Sequence, residues 1–134
     1  MEHNREHPIP WPEDDVRKLC DHVRQHAFAL YSYLGYGHLE RVYQNGLMNR
    51  LSKAGFLVEA QRRLLVRDED GSILGEYIAD MVVEDTLIIE LKACKGLGDE
   101  SVAQILGYLR AAHWRHGLLI NFGSCRFEIR KFIW

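Results

Sequence analysis

The stretch that most constrains this chain runs from Tyr77 to Ala93 and reads YIADMVVEDTLIIELKA. Val82 and Val83 precede a turn at Glu84–Asp85–Thr86, and Leu87, Ile88 and Ile89 follow it. Aliphatic, β-branched runs of this length, separated by turn residues, mark two buried strands joined by a tight turn. Three charges interrupt the apolar pattern: Asp80 on the first strand, Glu90 and Lys92 on the second. Side chains alternate along a strand, so Glu90 and Lys92 project to one side, about 7 Å apart. Leu87, Ile89, Leu91 and Ala93 take the other.

Charges so deep in an apolar strand have two readings. In the first they are structural, pairing with charges on neighbouring strands at a sheet end or edge, where inward charges also discourage aggregation. In the second, two carboxylates on adjacent strands with an ammonium beside them form a hard oxygen site for Mg²⁺ or a similar cation. Clustered carboxylates resist ionising together, and a divalent ion removes that penalty. The lysine then holds an attacking water or stabilises charge on a phosphate. On these residues alone both readings stay open.

Length and charge narrow the partners. At 134 residues the chain is expected to form one domain over residues 13–134, preceded by a flexible arm over 1–12 that carries three prolines and no periodicity. Apolar residues at 47% and charged ones at 27% are ordinary for a globular protein. No apolar run approaches the roughly 20 residues of a membrane span. The start, MEHNREHPIPWPEDD, has no apolar signal region. Cys20, Cys94 and Cys125 form neither a zinc spacing nor a disulfide framework, which suits a reducing cytoplasm, the expected location. A formal net charge of −2 means that nucleic acid would be held through a local basic patch, briefly, or with a partner's help.

Pro12 with Glu13, Asp14 and Asp15 starts a helix predicted over about 13–33, with Val16, Leu19, Cys20, Val23, Ala27 and Leu30 inward. His22 and His26 are one turn apart, with no third metal ligand apparent. After Leu34–Gly35–Tyr36–Gly37 a second helix is predicted over about 38–54, with Leu39, Val42, Tyr43, Leu47, Leu51 and Ala54 on one stripe and Gly55 as its C-cap. Glu40 falls at the stripe's edge. Phe56 to Arg67 alternates as a half-buried strand, with Phe56, Val58, Ala60, Leu64 and Val66 on one face and Arg62 breaking the pattern. Asp68 to Gly71 is a hairpin turn. Asp99 is the N-cap candidate of a helix to about 112 that buries Val102, Ile105, Leu106 and Leu109. On that helix Ala103, Gly107 and Ala111 make a small-residue track toward the sheet, and Gln104 and Tyr108 share a face. Gly117 to Phe122 and Arg126 to Trp134 are the last two strands. The expected order is α-α-β-β-β-α-β-β.

A helix acid, an Asp on one strand, Glu-x-Lys on the next, then a helix and another strand: this order resembles the PD-(D/E)xK nuclease superfamily over roughly residues 38–122. Gly37–His38–Leu39–Glu40–Arg41–Val42–Tyr43 is similar to the GxxExxY signature of a small bacterial family in that superfamily. Gly46, Leu47, Ala79–Asp80, Ile89 to Ala93, Gln104 to Leu109 and Asn121–Phe122–Gly123 look similar to it as well. The resemblance implies a restriction-endonuclease-like α/β fold with a central mixed sheet, and a catalytic set of Glu40, Asp80, Glu90, Lys92 and Gln104. Asp80 and Glu90 would ligate Mg²⁺ or Mn²⁺, Glu40 would complete or orient the site, and Lys92 would assist the water. Gln104 and Tyr108 would line the cleft. Ala79 stands where the superfamily's name has proline, a position that contributes backbone shape.

The expected function is therefore metal-dependent hydrolysis of DNA or RNA. The alternative is a non-catalytic module binding nucleic acid or protein on the same fold. Arg62, Arg63, Arg110 and Arg115, with Tyr108, are the candidate nucleic-acid contacts. A homodimer or a protein partner is compatible with this reading, and no membrane is implied.

Overall fold

Among the described residues, eight elements follow one another in the expected order. They are α1 (Glu13–Leu34), α2 (Glu40–Lys53), β1 (Val58–Arg67), β2 (Ile73–Val83), β3 (Leu87–Lys92), α3 (Asp99–Ala112), β4 (His116–Asn121) and β5 (Glu128–Ile133). The structure, a computed structural model, describes residues 11–134. The arm expected over residues 1–12 thus lies almost wholly outside the described residues. Of its last two, Trp11 is half-buried against the core and Pro12 precedes α1, its carbonyl accepting from Asp15 and Val16.

The strands form one sheet in the order β1-β2-β3-β4-β5. Only β3 and β4 run parallel, because α3 carries the chain back between them. The other pairs are antiparallel. The turn between β2 and β3 places Glu84 at φ 54° and Asp85 at φ 51°, and Thr86 N–H bonds the Val83 carbonyl at 3.1 Å. Two consecutive left-handed residues are what a two-residue hairpin needs to match the strand twist. All of β3 is buried except Lys92, as befits a strand covered on both faces.

Two cores lie on opposite faces. One holds α1 and α2 against Met81, Val83, Leu87, Ile89, Leu91, Leu118 and Ile120. The other holds α3 against Leu64, Ala79, Val82 and Ile88, with Trp114. The six inward residues expected on α1 are the ones buried there. The two helices cross closely at Gly46, where a Cβ would stand 2.7 Å from Leu30 Cδ1.

Several local expectations are corrected. On α2 only Tyr43, Leu47 and Leu51 are buried, whereas Leu39 is 79% exposed and Ala54 and Val42 are also exposed. Leu39 is the extended N-cap and not a helical residue, and Val42 lies in the first turn, ahead of Leu47 and Leu51, which anchor the helix. Ala54 is the C-cap, and Gly55 follows it at φ 94°. The N-cap of α3 is Gly98, and Asp99 is the first helical residue. On α3 Tyr108 is buried while Val102 and Leu106 are half-covered. The small-residue track does not face the sheet: Ala103 is exposed and nothing lies within 4 Å of a Cβ at Gly107. The close approach is made from the strand side, at Gly117, where a Cβ would meet Ile105 at 2.9 Å.

Candidate active site

The β2–β3 ladder runs from Val83↔Leu87 to Met81↔Ile89 and stops there. The next two residues are Asp80 and Glu90, and their carboxylates take over the hydrogen bonding. Asp80 N–H donates to Glu90 Oε1 at 3.1 Å, and Leu91 N–H donates to Asp80 Oδ2 at 2.8 Å. Each acid caps an amide of the opposite strand, so the sheet opens without orphaning a donor. The two carboxylates are thereby brought together on adjacent antiparallel strands.

The electrostatics follow from this placement. Glu90 is 3% exposed, and burial, reinforced by the Asp80 charge, pushes its carboxyl up to about 8. Glu40, the first residue of α2, reaches the same field. Its carboxyl is raised by desolvation and by Asp80, and Lys92 opposes the rise. Lys92 Nζ donates to Gln104 Oε1 at 3.0 Å, and Gln104 Nε2 donates to the Tyr108 hydroxyl at 2.9 Å. The Tyr108 ring packs on Tyr77, 4.7 Å between centroids, and its hydroxyl is raised by burial and by the Glu90 charge. Glu40, Asp80, Glu90, Lys92 and Gln104 therefore converge on one place, with Tyr108 buried behind them rather than at the surface.

The backbone beside Asp80 is unusual. Gln61, which lies between the Ala60↔Met81 and Arg62↔Ala79 pairs, has φ 52°. A non-glycine residue in the left-handed region inside a strand resets the side-chain alternation. Met81, opposite Ala60, packs in the α1–α2 core, while Leu64 and Ala79 pack in the α3 core. This is why Ala60 and Leu64 do not share a face as strict alternation requires. The Gln61 amide donates to Gln44 Oε1 at 3.0 Å, tying the strand to α2 one turn beyond Glu40.

The four arginines expected at a phosphate rim are each engaged within the chain. Arg62 is 9% exposed; its guanidinium bonds Asp85 at 2.6 Å and Glu59 at 3.1 Å and lies over Trp114. Its break in the alternation is a buried ion pair. Arg63 bonds Glu76 at 2.7 Å, Arg115 bonds Glu13 at 3.0 Å, and Arg110 lies over Trp134. His22 and His26 both pack against Phe56. Cys20, Cys94 and Cys125 are free thiols.

Asn121, quoted above only as part of a resemblance, has a structural task that the sequence reading missed. Fully buried, it accepts from Cys94 N–H (3.1 Å) and Gly123 N–H (2.9 Å) and donates to the Cys94 carbonyl (3.0 Å) and Glu128 Oε1 (3.3 Å). The segment leaving Lys92 is thus clamped, and Phe122 N–H bonds the Lys92 carbonyl at 2.9 Å. The available signal was an amide side chain inside an apolar strand, followed within two residues by glycine.

Among the described residues no group of three or more His, Cys, Asp and Glu side chains forms a ready-made metal cage. The donor set still fits Mg²⁺ or Mn²⁺. Mg²⁺ is usually held by one or two carboxylates, completed by water and substrate phosphate. Asp80 and Glu90 supply two oxygen donors whose mutual repulsion a dication relieves. Among the described residues no helix is long and apolar enough to cross a membrane.

The model of a family described as the PD-(D/E)XK nuclease superfamily matches residues 17–132. No curated protein matches. The crystal structure of SSO0001 is similar in fold, with a TM-score of 0.54 at 17% identity, over 69% of this chain. The match takes in 48% of that protein, so this chain spans about half its length.

Proposed function

The chain belongs to the PD-(D/E)XK nuclease superfamily, and from that premise we propose that it is a metal-dependent nuclease hydrolysing phosphodiester bonds in DNA or RNA. The observation that carries the reading is the pair of bonds where the β2–β3 ladder opens, Asp80 N–H to Glu90 Oε1 and Leu91 N–H to Asp80 Oδ2, which brings the two acids together, with Lys92 two residues beyond Glu90. An ion pair alone would put a base between those acids. Instead the two carboxyls face each other, and Lys92 turns to Gln104. We also assign the chain to the GxxExxY family, on Gly37, Glu40 and Tyr43.

In this reading Asp80 and Glu90 hold Mg²⁺ or Mn²⁺, and Glu40 joins them directly or orients a water at the site. When bound, the ion supplies positive charge for the scissile phosphate and lowers the pKa of the attacking water. Lys92 donates to that water or to a phosphate oxygen, and Gln104 keeps the ammonium on the cleft side. Tyr108, packed against Tyr77, accepts from Gln104 and so backs the Lys92–Gln104 pair.

The engagement of Arg62, Arg63, Arg110 and Arg115 within the chain favours a second reading, a non-catalytic binding module on the same fold. Calorimetry with Mg²⁺ and Mn²⁺, with and without oligonucleotide, separates the two. The nuclease reading expects one ion site, lost in Asp80→Asn, and cleavage that depends on the ion. A protein that binds no divalent ion at millimolar concentration, with or without nucleic acid, is a module.

A further inference from the structure

Glu40 has to be placed by something other than its own burial. It opens α2, and Leu39, Glu40, Arg41 and Val42 are all exposed. The buried anchors Leu47 and Leu51 fix the axis of α2 but lie two and three turns further on. The first buried residue of the helix is Tyr43. Its hydroxyl donates to the Gly35 carbonyl at 2.6 Å and accepts from His38 N–H at 3.2 Å. Those two bonds cross the loop between α1 and α2, which turns on Gly35 at φ 71° and Gly37 at φ 105°.

The ring of Tyr43 is fixed as firmly as its hydroxyl. It stacks on Phe122, 4.7 Å between centroids and 8° between planes, with the His38 ring edge-on at 5.8 Å. Phe122 is the residue whose amide bonds the Lys92 carbonyl, and it stands between Asn121 and Gly123, which hold the Ala93–Cys94 backbone. Tyr43 therefore joins the loop that launches Glu40 to the strand end that presents Lys92.

We infer that Tyr43 is a positioning residue: it shapes the Gly35–His38 loop against Phe122 and so sets Glu40 relative to Asp80 and Lys92. The inference rests on the reading that Glu40 serves the acid site. It also gives the Gly37-x-x-Glu40-x-x-Tyr43 spacing a physical meaning. The glycine supplies the left-handed bend, the acid is the group delivered, and the tyrosine one turn later closes the loop that delivers it.

Tyr43→Phe keeps the stack and removes both loop bonds. Its partner in the test is Glu40→Gln, with the double variant completing a cycle. Single-turnover cleavage of a labelled oligonucleotide in Mg²⁺ is expected to fall about 10- to 100-fold in Tyr43→Phe, the range a small misplacement produces. In the Glu40→Gln background, Tyr43→Phe is expected to change the rate less than about twofold, because the group it positions is already disabled. Hydrogen exchange at the His38 amide is expected to speed up, with Tm lowered by only a few degrees because the stack on Phe122 is kept. Losses that multiply in the double variant would overturn the inference, since Tyr43 would then act on something other than Glu40.

Gly37→Ala, which strains the same loop without touching the core, is expected to reproduce the loss and keeps the test open if Tyr43→Phe folds poorly. A wild type that binds the ion but cleaves nothing overturns the nuclease reading alone. The positioning claim is then decided by Mg²⁺ calorimetry: equal weakening in Tyr43→Phe and Glu40→Gln sustains it, and wild-type affinity in Tyr43→Phe overturns it. A wild type that neither cleaves nor binds the ion overturns both.

Discussion

Glu90→Gln in the metal-free protein separates an acid site from a structural ion pair most cleanly. Glu90 is 3% exposed, and its carboxyl is raised from 4.5 to about 8, first by burial and then by the Asp80 charge. Because the folded value lies above the unfolded one, the folded state keeps the proton longer. Stability is full below pH 4.5, falls as pH rises toward about 8, and then levels off. At about 1.36 kcal/mol per pH unit the displacement sets a ceiling of roughly 4–5 kcal/mol on the loss. Glutamine keeps an oxygen for Asp80 N–H and presents an NH₂ where a protonated Glu90 would donate to Asp80. Urea melts in EDTA at pH 5, 7 and 8.5 read the difference. The variant is expected to match wild type within about 1 kcal/mol at pH 5 and to exceed it by a few kcal/mol at pH 8.5. Mg²⁺ at about a hundred times its Kd would return about 2.7 kcal/mol to wild type. A variant less stable than wild type at every pH would refute the reasoning and make Glu90 one half of a buried ion pair.

Three further predictions concern the frame. His116 is buried with Nδ1 unpartnered and Nε2 3.9 Å from Glu13, and burial lowers its pKa, with Lys131 and Arg115 adding to the shift and Glu13 opposing it. Stability should therefore drop as pH falls below about 6.5, where the unfolded chain takes up the proton first, and His116→Leu should flatten that drop in acid melts. Gly123→Ala would place a Cβ 2.1 Å from Cys94 N, so Tm should fall by the equivalent of about 3 kcal/mol or more, or the fold should fail. Arg62→Ala should cost on the order of 2–3 kcal/mol in denaturant melts and leave the salt slope of oligonucleotide binding unchanged, because its guanidinium already holds Asp85 and Glu59.

The parts of this fold legible in the sequence are those in which one local rule acts alone. α1 follows from an uninterrupted helical period, and the β2–β3 pair from two aliphatic runs around Glu84–Asp85. The meeting of Asp80 and Glu90 follows from that hairpin, since antiparallel pairing puts them side by side. Strict alternation failed at Gln61, because its backbone is left-handed, a conformation that no local sequence cue announces at a glutamine. Helical periodicity failed at Leu39, which is the extended N-cap of α2, and at Val42, which stays exposed in its first turn. The arginines were legible as charges and illegible as contacts. Glu13, Glu59, Glu76 and Asp85, which occupy three of them, come from α1, from β1 itself, from the neighbouring strand β2 and from the β2–β3 turn. Asn121 was visible as an oddity in GLLINF, but its partners lie 27 residues away at Cys94 and beyond β4 at Glu128.

The central claim is tested most directly by single-turnover cleavage of labelled single-stranded, duplex and branched oligonucleotides, comparing wild type with Lys92→Ala in Mg²⁺ and in EDTA. Lys92 donates to Gln104 beside the acid pair and bonds neither acid, so its loss should leave Mg²⁺ affinity equal or slightly higher. The account predicts cleavage by wild type in Mg²⁺ only, and a loss of at least about a hundredfold in Lys92→Ala at unchanged Mg²⁺ affinity. Equal cleavage by Lys92→Ala, or cleavage that persists in EDTA, would contradict it.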